Sequence, residues 1–499
     1  MNDKKNSLLL ITVDCLRADH CGFYGYARPT TPFLDSLASE SVVVSTAVVA
    51  GAPTYYSLPA IFASRMPLAL GRDVVGLAPG EDTLATALRQ SGFATAAFTA
   101  ANPYISPHFG YDQGFDEFRD FLDFEVSAPS ITDVEKSPEN RSFRAMLNSW
   151  LKKSACAAGL SQLYYDLYFQ YCVRVAAPTV RSMDALRRYP SADVIVDSAE
   201  SWLSSVDSQP FFLWLHLMDP HHPYYPPAAA FQQLTARTIS PQRALYLNEF
   251  WNRSDLGADR LQRHKPAVME LYDAGIRCVD SQIGRLVSFL KTSNRWDDCV
   301  FALTADHGEE FLEHGRRYHA PVGFNDEIAR VPLMFRVPGQ PNWKLPAAPF
   351  SHLNLAPTLL EILNVPQPPG FQGTSLSQHA NEQCGDSPEE RLVSMAISEC
   401  VYGCTNSFSE ETRLSERLLS VRDWRYKLVT RLNAGAVEEI YDLSSDPEEK
   451  DPLPAGESKQ IRARLLRVAV EHLRKGSDAG TANARLRSRL RDLRLKLSG

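Results

Sequence analysis

An aspartate and a histidine stand side by side at the end of an apolar run. The run Val300–Ala305 leads directly to Asp306, His307 and Gly308. A carboxylate and an imidazole in adjacent positions can bind one metal ion from two sides, and the glycine permits a tight turn away from it. Oxygen and imidazole ligands suit zinc or manganese better than calcium. The pair therefore predicts a divalent metal site.

Three further apolar runs also end at a polar residue. These residues are Asp14 after Leu8–Val13, Asn102 after Ala94–Ala101, and Asp219 after Phe211–Met218. Continuous apolar runs of this length are typical of parallel strands buried on both faces, and ligands bind beyond the carboxyl ends of such strands. One acidic residue after a strand often only begins a surface loop. Four such strand ends together predict a shared site.

The motifs around these residues resemble the sulfatase family of the alkaline phosphatase superfamily. The matching segments are Leu9-Leu-Ile-Thr-Val-Asp14, Tyr24-Gly, Thr31-Pro, Thr304-Ala-Asp-His-Gly-Glu, Glu313-His-Gly and Arg330-Val-Pro-Leu. The resemblance covers about residues 8–124 and 195–455. It implies that Asp14, Asp306 and His307 bind one ion. Cys15 stands where many members have a second aspartate, which disfavours calcium.

The segment Gly51–Pro67 resembles the part of the family that carries the nucleophile. Sulfatases have a cysteine there, in C-x-P-S-R, which is converted to formylglycine. Aligned on the closing proline, Thr54 takes the cysteine position, Ser57 the motif's serine, and Leu58 replaces its arginine. In an alternative register Ser57 begins a degenerate S-x-P motif, and Thr54 is also compatible with a helix N-cap. Superfamily phosphodiesterases and phosphoethanolamine or glycerol-phosphate transferases use a metal-bound threonine, since a hydroxyl needs a metal or a base to become a good nucleophile.

A histidine-rich segment after the third run resembles the family's H-x-x-x-P-H-x-P-Y-x-P. The resemblance implies that His221 binds the ester oxyanion, protonates the leaving group or holds a second metal. His319 stands where relatives place a lysine or histidine that meets the same substrate. With Asp219 these two could bind a second ion, as in two-metal phosphodiesterases, and a purely catalytic role stays equally open. His222 and Ser57 are predicted to contact substrate, whereas His216 is interpreted as a core histidine.

Asn102 follows the strand that ends in a lysine–histidine pair in sulfatases. An amide can donate a hydrogen bond to a phosphoryl oxygen, as in phosphodiesterase relatives. The missing arginine and lysine favour phosphate diesters over sulfate esters. We expect a hydrolase or transferase in which Thr54 attacks in line and forms a covalent ester, which water or an acceptor alcohol then cleaves. Two alternatives remain: a true sulfuric ester hydrolase, and a catalytically reduced sulfatase-like binding module.

The alternation of apolar runs with helical patterns predicts an α/β fold, with a doubly wound, mainly parallel sheet and helices on both faces. Residues 1–385 are predicted to form the catalytic domain, with a helical insert at about 125–195 that serves as core packing, lid or partner surface. Residues 386–455 are predicted as a small C-terminal α+β subdomain. Residues 456–499 form a basic amphipathic helical tail. A solvated helix is the preferred interpretation of that tail, and docking on the domain, a membrane surface or a protein partner is the alternative.

Composition narrows the class of protein. The 499 residues carry a net charge of −7, which argues against a general nucleic-acid binder. The first apolar run, Leu8–Val13, is too short for a signal peptide or a membrane span, and nine cysteines without C-x-x-C pairs indicate reduced thiols, so we expect a cytoplasmic protein. The expected partner is a small-molecule, glycan-linked or lipid-linked ester, with one or two divalent ions as cofactor.

Overall fold

The computed structural model of the chain describes residues 5–72, 74–124, 143–176, 181–206, 209–339, 348–376, 395–407, 409–413, 415–432, 438–454 and 459–474. The strands are β1 (Ser7–Val13), β2 (Val42–Val43), β3 (Ala47–Val48), β4 (Ala94–Thr99), β5 (Glu117–Arg119), β6 (Phe211–Leu217), β7 (Cys299–Ala305), β8 (Glu310–Phe311), β9 (Arg317–Tyr318), β10 (Arg330–Val331), β11 (Leu333–Arg336), β12 (Phe350–Ser351), β13 (Ala396–Val401), β14 (Arg417–Arg422), β15 (Tyr426–Leu432) and β16 (Glu438–Asp442). The helices are α1 (Pro32–Ala38), α2 (Thr54–Ala63), α3 (Leu84–Gln90), α4 (Phe143–Ala157), α5 (Ser161–Tyr171), α6 (Ala192–Ser205), α7 (Ala228–Thr235), α8 (Pro241–Trp251), α9 (Ala258–Gln262), α10 (Lys265–Thr292), α11 (Asp326–Ala329), α12 (Leu355–Ile362), α13 (Glu410–Arg413) and α14 (459–474).

The central sheet has the strand order β2-β11-β7-β1-β6-β4-β5. Strands β7, β1, β6, β4 and β5 run parallel, whereas β11 lies antiparallel to β7 and β2. Every residue of β1, β6 and β7 is buried, as a parallel sheet covered on both faces requires. The predicted fold class, a mainly parallel α/β sheet with a small C-terminal sheet, is confirmed.

The register of this sheet brings the predicted strand ends to one edge. β1 lies between β7 and β6, and Val13 is paired with Ala305 on one side and Leu217 on the other. The backbone N–H of Asp14 donates to the carbonyl oxygen of Leu217 at 2.8 Å and extends the pairing by one residue. Asp14 and Asp306 therefore leave the sheet side by side.

The loop that leads into α2 is held by the last part of the chain. Ser398 Oγ donates to the carbonyl oxygen of Val49 at 2.6 Å, and the Glu399 N–H donates to that of Ala50 at 2.8 Å. A side chain at Gly51 would not fit, because an added Cβ would lie 2.6 Å from the Glu399 carbonyl oxygen. The position of α2 thus depends on a contact with β13.

Strands β13 to β16 form an antiparallel C-terminal sheet. Leu465 and Ala469 of α14 are fully buried against its face, where they pack with Leu419, Val421 and Leu428. Burial of apolar surface in this contact stabilises the sheet and the helix together. The first half of the predicted tail is therefore part of the C-terminal packing.

For residues 459–474, the preferred interpretation of a solvated tail helix was wrong, because the apolar stripe of α14 docks on the C-terminal sheet. Arg464 and His472 of the same helix form ion pairs with Asp423 and Glu399. Most of the predicted arginine-rich end, residues 475–499, lies outside the described residues. Among the described helices, none combines the length and the apolar character needed to cross a bilayer.

The predicted insert is helical where the structure describes it. Phe169 of α5 is buried and packs edge-on against Phe250 of α8, with ring centroids 5.8 Å apart. Trp150 of α4 and Leu163 and Leu167 of α5 are exposed. Of the predicted range, 125–142 and 177–180 lie outside the described residues. The insert thus contributes Phe169 and Tyr189 to the core and presents apolar groups outward.

Candidate functional site

Four side chains predicted to share an ion lie together at the carboxyl edge of the central sheet. Thr54 Oγ1 is 3.5 Å from Asp14 Oδ2 and 3.3 Å from His307 Nε2. His307 Nε2 is also 3.4 Å from Asp306 Oδ2. Atoms around a common divalent ion at roughly 2.0–2.3 Å are separated by about 3–4 Å. The structure therefore brings Asp14, Thr54, Asp306 and His307 into ligand spacing.

Thr54 owes its position to the start of α2. It is the first residue of this fully buried helix, where unpaired backbone N–H groups and the helix dipole favour negative charge. Ser57, one turn later, donates from Oγ to the carbonyl oxygen of Asp306 at 2.5 Å. Ser57 was predicted to contact substrate, but here its hydroxyl holds the end of β7. The geometry favours the register with Thr54 over the one with Ser57.

His307 presents a defined nitrogen to this cluster. Its Nδ1 is 2.9 Å from the carbonyl oxygen of Gly308, so the Nδ1–H donates there and the lone pair of Nε2 faces Thr54. Gly308 has no room for a side chain, because an added Cβ would lie 1.9 Å from the carbonyl oxygen of Glu327. The tight turn predicted after the Asp–His pair is therefore needed to orient the imidazole.

The two carboxylates of the cluster differ in their electrostatic surroundings. Burial raises the pKa of Asp14, but the nearby His221, His216 and His307 outweigh it and hold this pKa well below its usual value. Burial also raises the pKa of Asp306, and the negative charge of Asp14 adds to that effect. Two adjacent buried carboxylates call for a cation.

The donor set fits a divalent ion. Oδ2 of Asp306 is buried and has no hydrogen-bond partner among the described residues. Asp14, His216 and Asp306 offer ligand atoms that lie within 4.8 Å of one another. Carboxylates with imidazole and a hydroxyl are ligands that zinc and manganese accept.

Two residues contact Asp14 from neighbouring strands. Asn102 Nδ2 donates to Asp14 Oδ2 at 3.0 Å, so this amide orients a predicted metal ligand. His216, interpreted from sequence as a core histidine, is buried, but its Nε2 lies 3.3 Å from Asp14 Oδ2. Its Nδ1 is 2.8 Å from Thr12 Oγ1, which fixes the ring. The structure thus corrects the interpretation of His216 and places it within the site.

A second group of side chains lies beside the first. Cys15 Sγ is 3.1 Å from Asp14 Oδ1 and 3.3 Å from His319 Nδ1. The rings of His221 and His319 are 5.1 Å apart, and His221 Nδ1 hydrogen-bonds to the carbonyl oxygen of His222. Burial lowers the pKa of His221 and raises that of the Cys15 thiol well above its usual value.

Asp219, predicted as a ligand of a second ion, does not join this group. Its Oδ1 accepts hydrogen bonds from Arg187 at 3.0 and 3.1 Å, and its Oδ2 accepts one from the Ala192 N–H at 2.9 Å. Because Arg187 already neutralises this buried carboxylate, Asp219 has a structural partner instead of a metal. His222 lies at the outer side, with Nε2 3.3 Å from the Tyr318 hydroxyl, and is half-buried.

Sequence reasoning missed Cys15 and Glu309 as members of the site. Cys15 was taken only as the loss of a hard ligand, and its left-handed backbone, with φ 61°, could not be read from the pattern. Glu309 is fully buried, with Oε1 3.4 Å from His319 Nδ1. The signal for Glu309 was its place directly after the Asp-His-Gly turn.

The chain is similar to known proteins over most of its length. A family model described as sulfatase matches residues 6–365, and one described as the C-terminal part of N-sulphoglucosamine sulphohydrolase matches 318–475. An arylsulfatase of Clostridium perfringens is 22% identical over 506 residues, covering 95% of this chain and 96% of that one. Arylsulfatase K of Bos taurus is 24% identical over 51% of this chain, and the alignment spans only 50% of that relative.

A solved structure, a phosphonate monoester hydrolase from Silicibacter pomeroyi, is similar over 94% of this chain and 95% of its own, with a TM-score of 0.65 and 20% identity. At this identity the likeness shows the fold. It agrees with the mainly parallel central sheet.

Proposed function

Because this chain belongs to the sulfatase family of metal-dependent ester hydrolases, we propose that it hydrolyses phosphodiesters or phosphonate esters, with Thr54 as nucleophile. One observation carries the proposal. The Thr54 hydroxyl, at the start of a buried helix, lies within 3.5 Å of Asp14 and 3.3 Å of His307. A secondary alcohol so placed has the surroundings that turn a hydroxyl into a nucleophile.

The chemistry follows from the order of the groups around Thr54. A divalent ion held by Asp14, Asp306 and His307 would lower the pKa of the hydroxyl and offset charge on the ester. The Thr54 hydroxyl loses its proton to solvent, and its oxygen forms a bond to phosphorus while the bond to the departing ester oxygen breaks and that oxygen takes up a proton. Water then attacks the phosphorus, the bond between phosphorus and Thr54 breaks, and Thr54 regains a proton as the second product is released. The start of α2 favours the negative phosphoryl group throughout.

The leaving oxygen departs on the side of His221 and His319. Cys15 lies between Asp14 and His319, and its sulfur is also near His221. The imidazoles of these two histidines can stabilise charge on that oxygen. His222, half-buried at the outer side, is placed to meet the remainder of the ester.

The charges of the site support phosphorus over sulfur. Leu58, at the position of the sulfatase arginine, is fully buried in α2. The amide of Asn102 donates its hydrogen bond to Asp14. Arg17, a nearby buried arginine, is paired with Asp19 and Glu313. A phosphodiester carries one negative charge, which ions and imidazoles can offset without an arginine clamp.

A panel of aryl phosphate, phosphodiester, phosphonate and sulfate esters tests the proposal at matched zinc and manganese concentrations. Phosphodiester or phosphonate cleavage should exceed aryl sulfate cleavage, and Thr54→Ala should lower kcat/KM by at least about 10³-fold. Thr95→Ala is a matched control, since Thr95 is a buried threonine near the start of β4, whereas the site lies beyond the carboxyl end of that strand. Full activity in Thr54→Ala would refute the assignment, and a protein that binds no metal and cleaves nothing would favour a binding module.

Sulfate ester hydrolysis is the second candidate, favoured by the full-length similarity to an arylsulfatase. In that case the nucleophile would have to be formylglycine. Threonine cannot give this aldehyde by oxidation, and the Ser57 hydroxyl is bound to the Asp306 carbonyl. Peptide mass spectrometry of residues 51–67 decides the question. An aldehyde at Ser57 together with a preference for aryl sulfates would establish the sulfatase.

A further inference from the structure

We propose that the thiolate of Cys15 is a ligand of a second divalent ion, with zinc as the preferred metal, held together with Asp14, His221 and His319. The ion would lie beside the Thr54 cluster. Where it binds follows from the geometry alone, and only its task in catalysis rests on the proposed function.

The geometry centres on the sulfur atom. Two groups with ligand atoms within 4.8 Å of one another share Cys15, one with Asp14 and His221, the other with His307 and His319. The Sγ atom is 3.1 Å from Asp14 Oδ1 and 3.3 Å from His319 Nδ1. Tetrahedral zinc with Zn–S near 2.3 Å and Zn–N near 2.0 Å places such atoms about 3.3–3.8 Å apart. Neither group contains all four proposed ligands, so the ion would draw His221 and His319 together around the sulfur atom to complete the site.

Hydrogen bonds sort the ligands between two ions. His307 donates from Nδ1 to the Gly308 carbonyl, so its Nε2 serves the Thr54 cluster. His221 Nδ1 is bonded to the carbonyl oxygen of His222, which leaves the Nε2 lone pair for a metal. The two carboxylate oxygens of Asp14 have different partners, because Oδ2 contacts Asn102 and Oδ1 contacts Cys15. The Asp14 carboxylate can therefore bridge the two positions.

Glu309 supplies an independent observation. It is fully buried, and its Oε2 has no hydrogen-bond partner among the described residues. Its Oε1 lies 3.4 Å from His319 Nδ1. The nearby Arg17 guanidinium is bonded to Asp19, Glu313 and the backbone of Glu309, so His319 is the ion-pair partner of this carboxylate. The buried Oε2 atom is left without a donor, and a cation beside His319 would stabilise it.

The donor set also selects the metal. Thiolate and imidazole are ligands for zinc and similar ions, whereas magnesium and calcium prefer oxygen. In the proposed reaction the ion would offset charge on the departing oxygen, the task given above to His221 and His319.

Cobalt substitution and X-ray absorption test the site directly. Metal-free protein titrated with Co²⁺ should bind about two equivalents and develop the near-ultraviolet charge-transfer band of a thiolate–cobalt bond. Cys15→Ser should lose the band and the second equivalent. Cys21→Ser is the matched control, because Cys21 is also buried but its Sγ donates to the Arg17 carbonyl. A band that persists in Cys15→Ser, or the absence of a band in the wild type, would overturn the proposal.

Two further measurements keep the test decisive if Cys15→Ser folds poorly. Zinc-edge absorption of the wild type should show a sulfur neighbour near about 2.3 Å, and zinc with nitrogen and oxygen neighbours only would contradict it. Cys15→Asp should restore an oxygen ligand and shift the preference from zinc towards manganese or magnesium by at least about tenfold. An unchanged preference would count against a thiolate ligand.

Thr54→Ala separates this site from the proposed function. It should keep the cobalt band and lose hydrolysis. If it keeps both, the nucleophile is misassigned while the thiolate site stands. If the wild type hydrolyses phosphodiesters but shows no sulfur ligand, the proposed function stands and the second ion does not involve Cys15.

Discussion

Buried carboxylates behave differently in two regions of this molecule. Where α11 meets the C-terminal sheet, Asp326 is paired with Arg422 and, at 2.9 Å, with Lys427. Lys427 also lies 2.8 Å from Glu449. At the carboxyl edge of the central sheet, Asp14 and its neighbour Asp306 carry the same charge, and the ion pairs of the described residues join them to histidines only.

The difference distinguishes carboxylates that stabilise the fold from carboxylates that can bind an ion. Burial would raise the pKa of Asp326, but Lys427 and Arg422 hold it well below its usual range, so the protein supplies its own counter-charge. At the sheet edge, no described lysine or arginine forms an ion pair with Asp14 or Asp306, so a bound cation would supply the counter-charge. A buried acidic group with a lysine or arginine partner thus indicates structure, and one without such a partner indicates a binding site.

The largest effect on activity should come from removing the carboxylate charge of Asp306. Asp306→Asn should lower kcat/KM by at least about 10³-fold, because a metal ligand is lost. Without metal, the same variant should be more stable by about 0.5–2 kcal/mol, since it relieves repulsion with Asp14. Hydrolysis assays and thermal unfolding in chelator measure the two effects.

Asp326→Asn is the matched control and should lower the melting temperature. A metal-free Asp306→Asn variant that melts below the wild type would contradict the difference between the two regions.

Lys427→Met should cost about 3–5 kcal/mol of unfolding free energy, because it leaves the buried carboxylates of Asp326 and Glu449 without this cation. Methionine fills much of the same space, so the loss is electrostatic. Denaturant unfolding measures the cost, and activity per folded molecule at low temperature should change little. A large loss of kcat with unchanged stability would show that this network belongs to the site.

Leu465→Ala should cost about 2–3 kcal/mol, as expected for a buried leucine whose surroundings can partly relax. Val470→Ala, at an exposed position of the same helix, should cost much less. Thermal unfolding of the two variants gives the difference. Equal effects would mean that α14 does not dock in solution.

The smallest effect concerns pH. Because the folded-state pKa of Asp326 is depressed, its contribution to stability is present above the unfolded-state pKa of about 3.9 and is lost as pH falls below it. The stability gap between wild type and Asp326→Asn should therefore narrow by on the order of 1 kcal/mol between about pH 5 and pH 3. A gap that widens on acidification would show that the assigned sign is wrong.

The sequence predicted the positions that depend on strand ends. Asp14 and Asp306 follow apolar runs that the register places side by side, so pattern and sheet rules sufficed. Thr54 was found through the spacing of a family motif, and the structure puts its hydroxyl beside Asp14.

Other features depend on contacts that no local pattern encodes. Asp219 looks like a strand-end ligand, but Arg187, 32 residues away, neutralises it. The direction of the Cys15 side chain is set by a single left-handed residue. The apolar stripe of α14 showed that the helix would cover something, yet only the fold reveals that it covers the C-terminal sheet.

The contact between the α2 loop and β13 bears on how the protein is made. Ser398, which holds the carbonyl of Val49, is 349 residues further along the chain. At about 5–20 residues per second, a ribosome needs roughly 17–70 s to deliver it after the loop has been synthesised. Nascent chains that already contain Asp14, Thr54 and Asp306 therefore still lack the strand that fixes the nucleophile's loop. Catalytic competence therefore awaits the synthesis of β13, and a polypeptide terminated just before this strand would carry every proposed ligand of the first ion and remain inert.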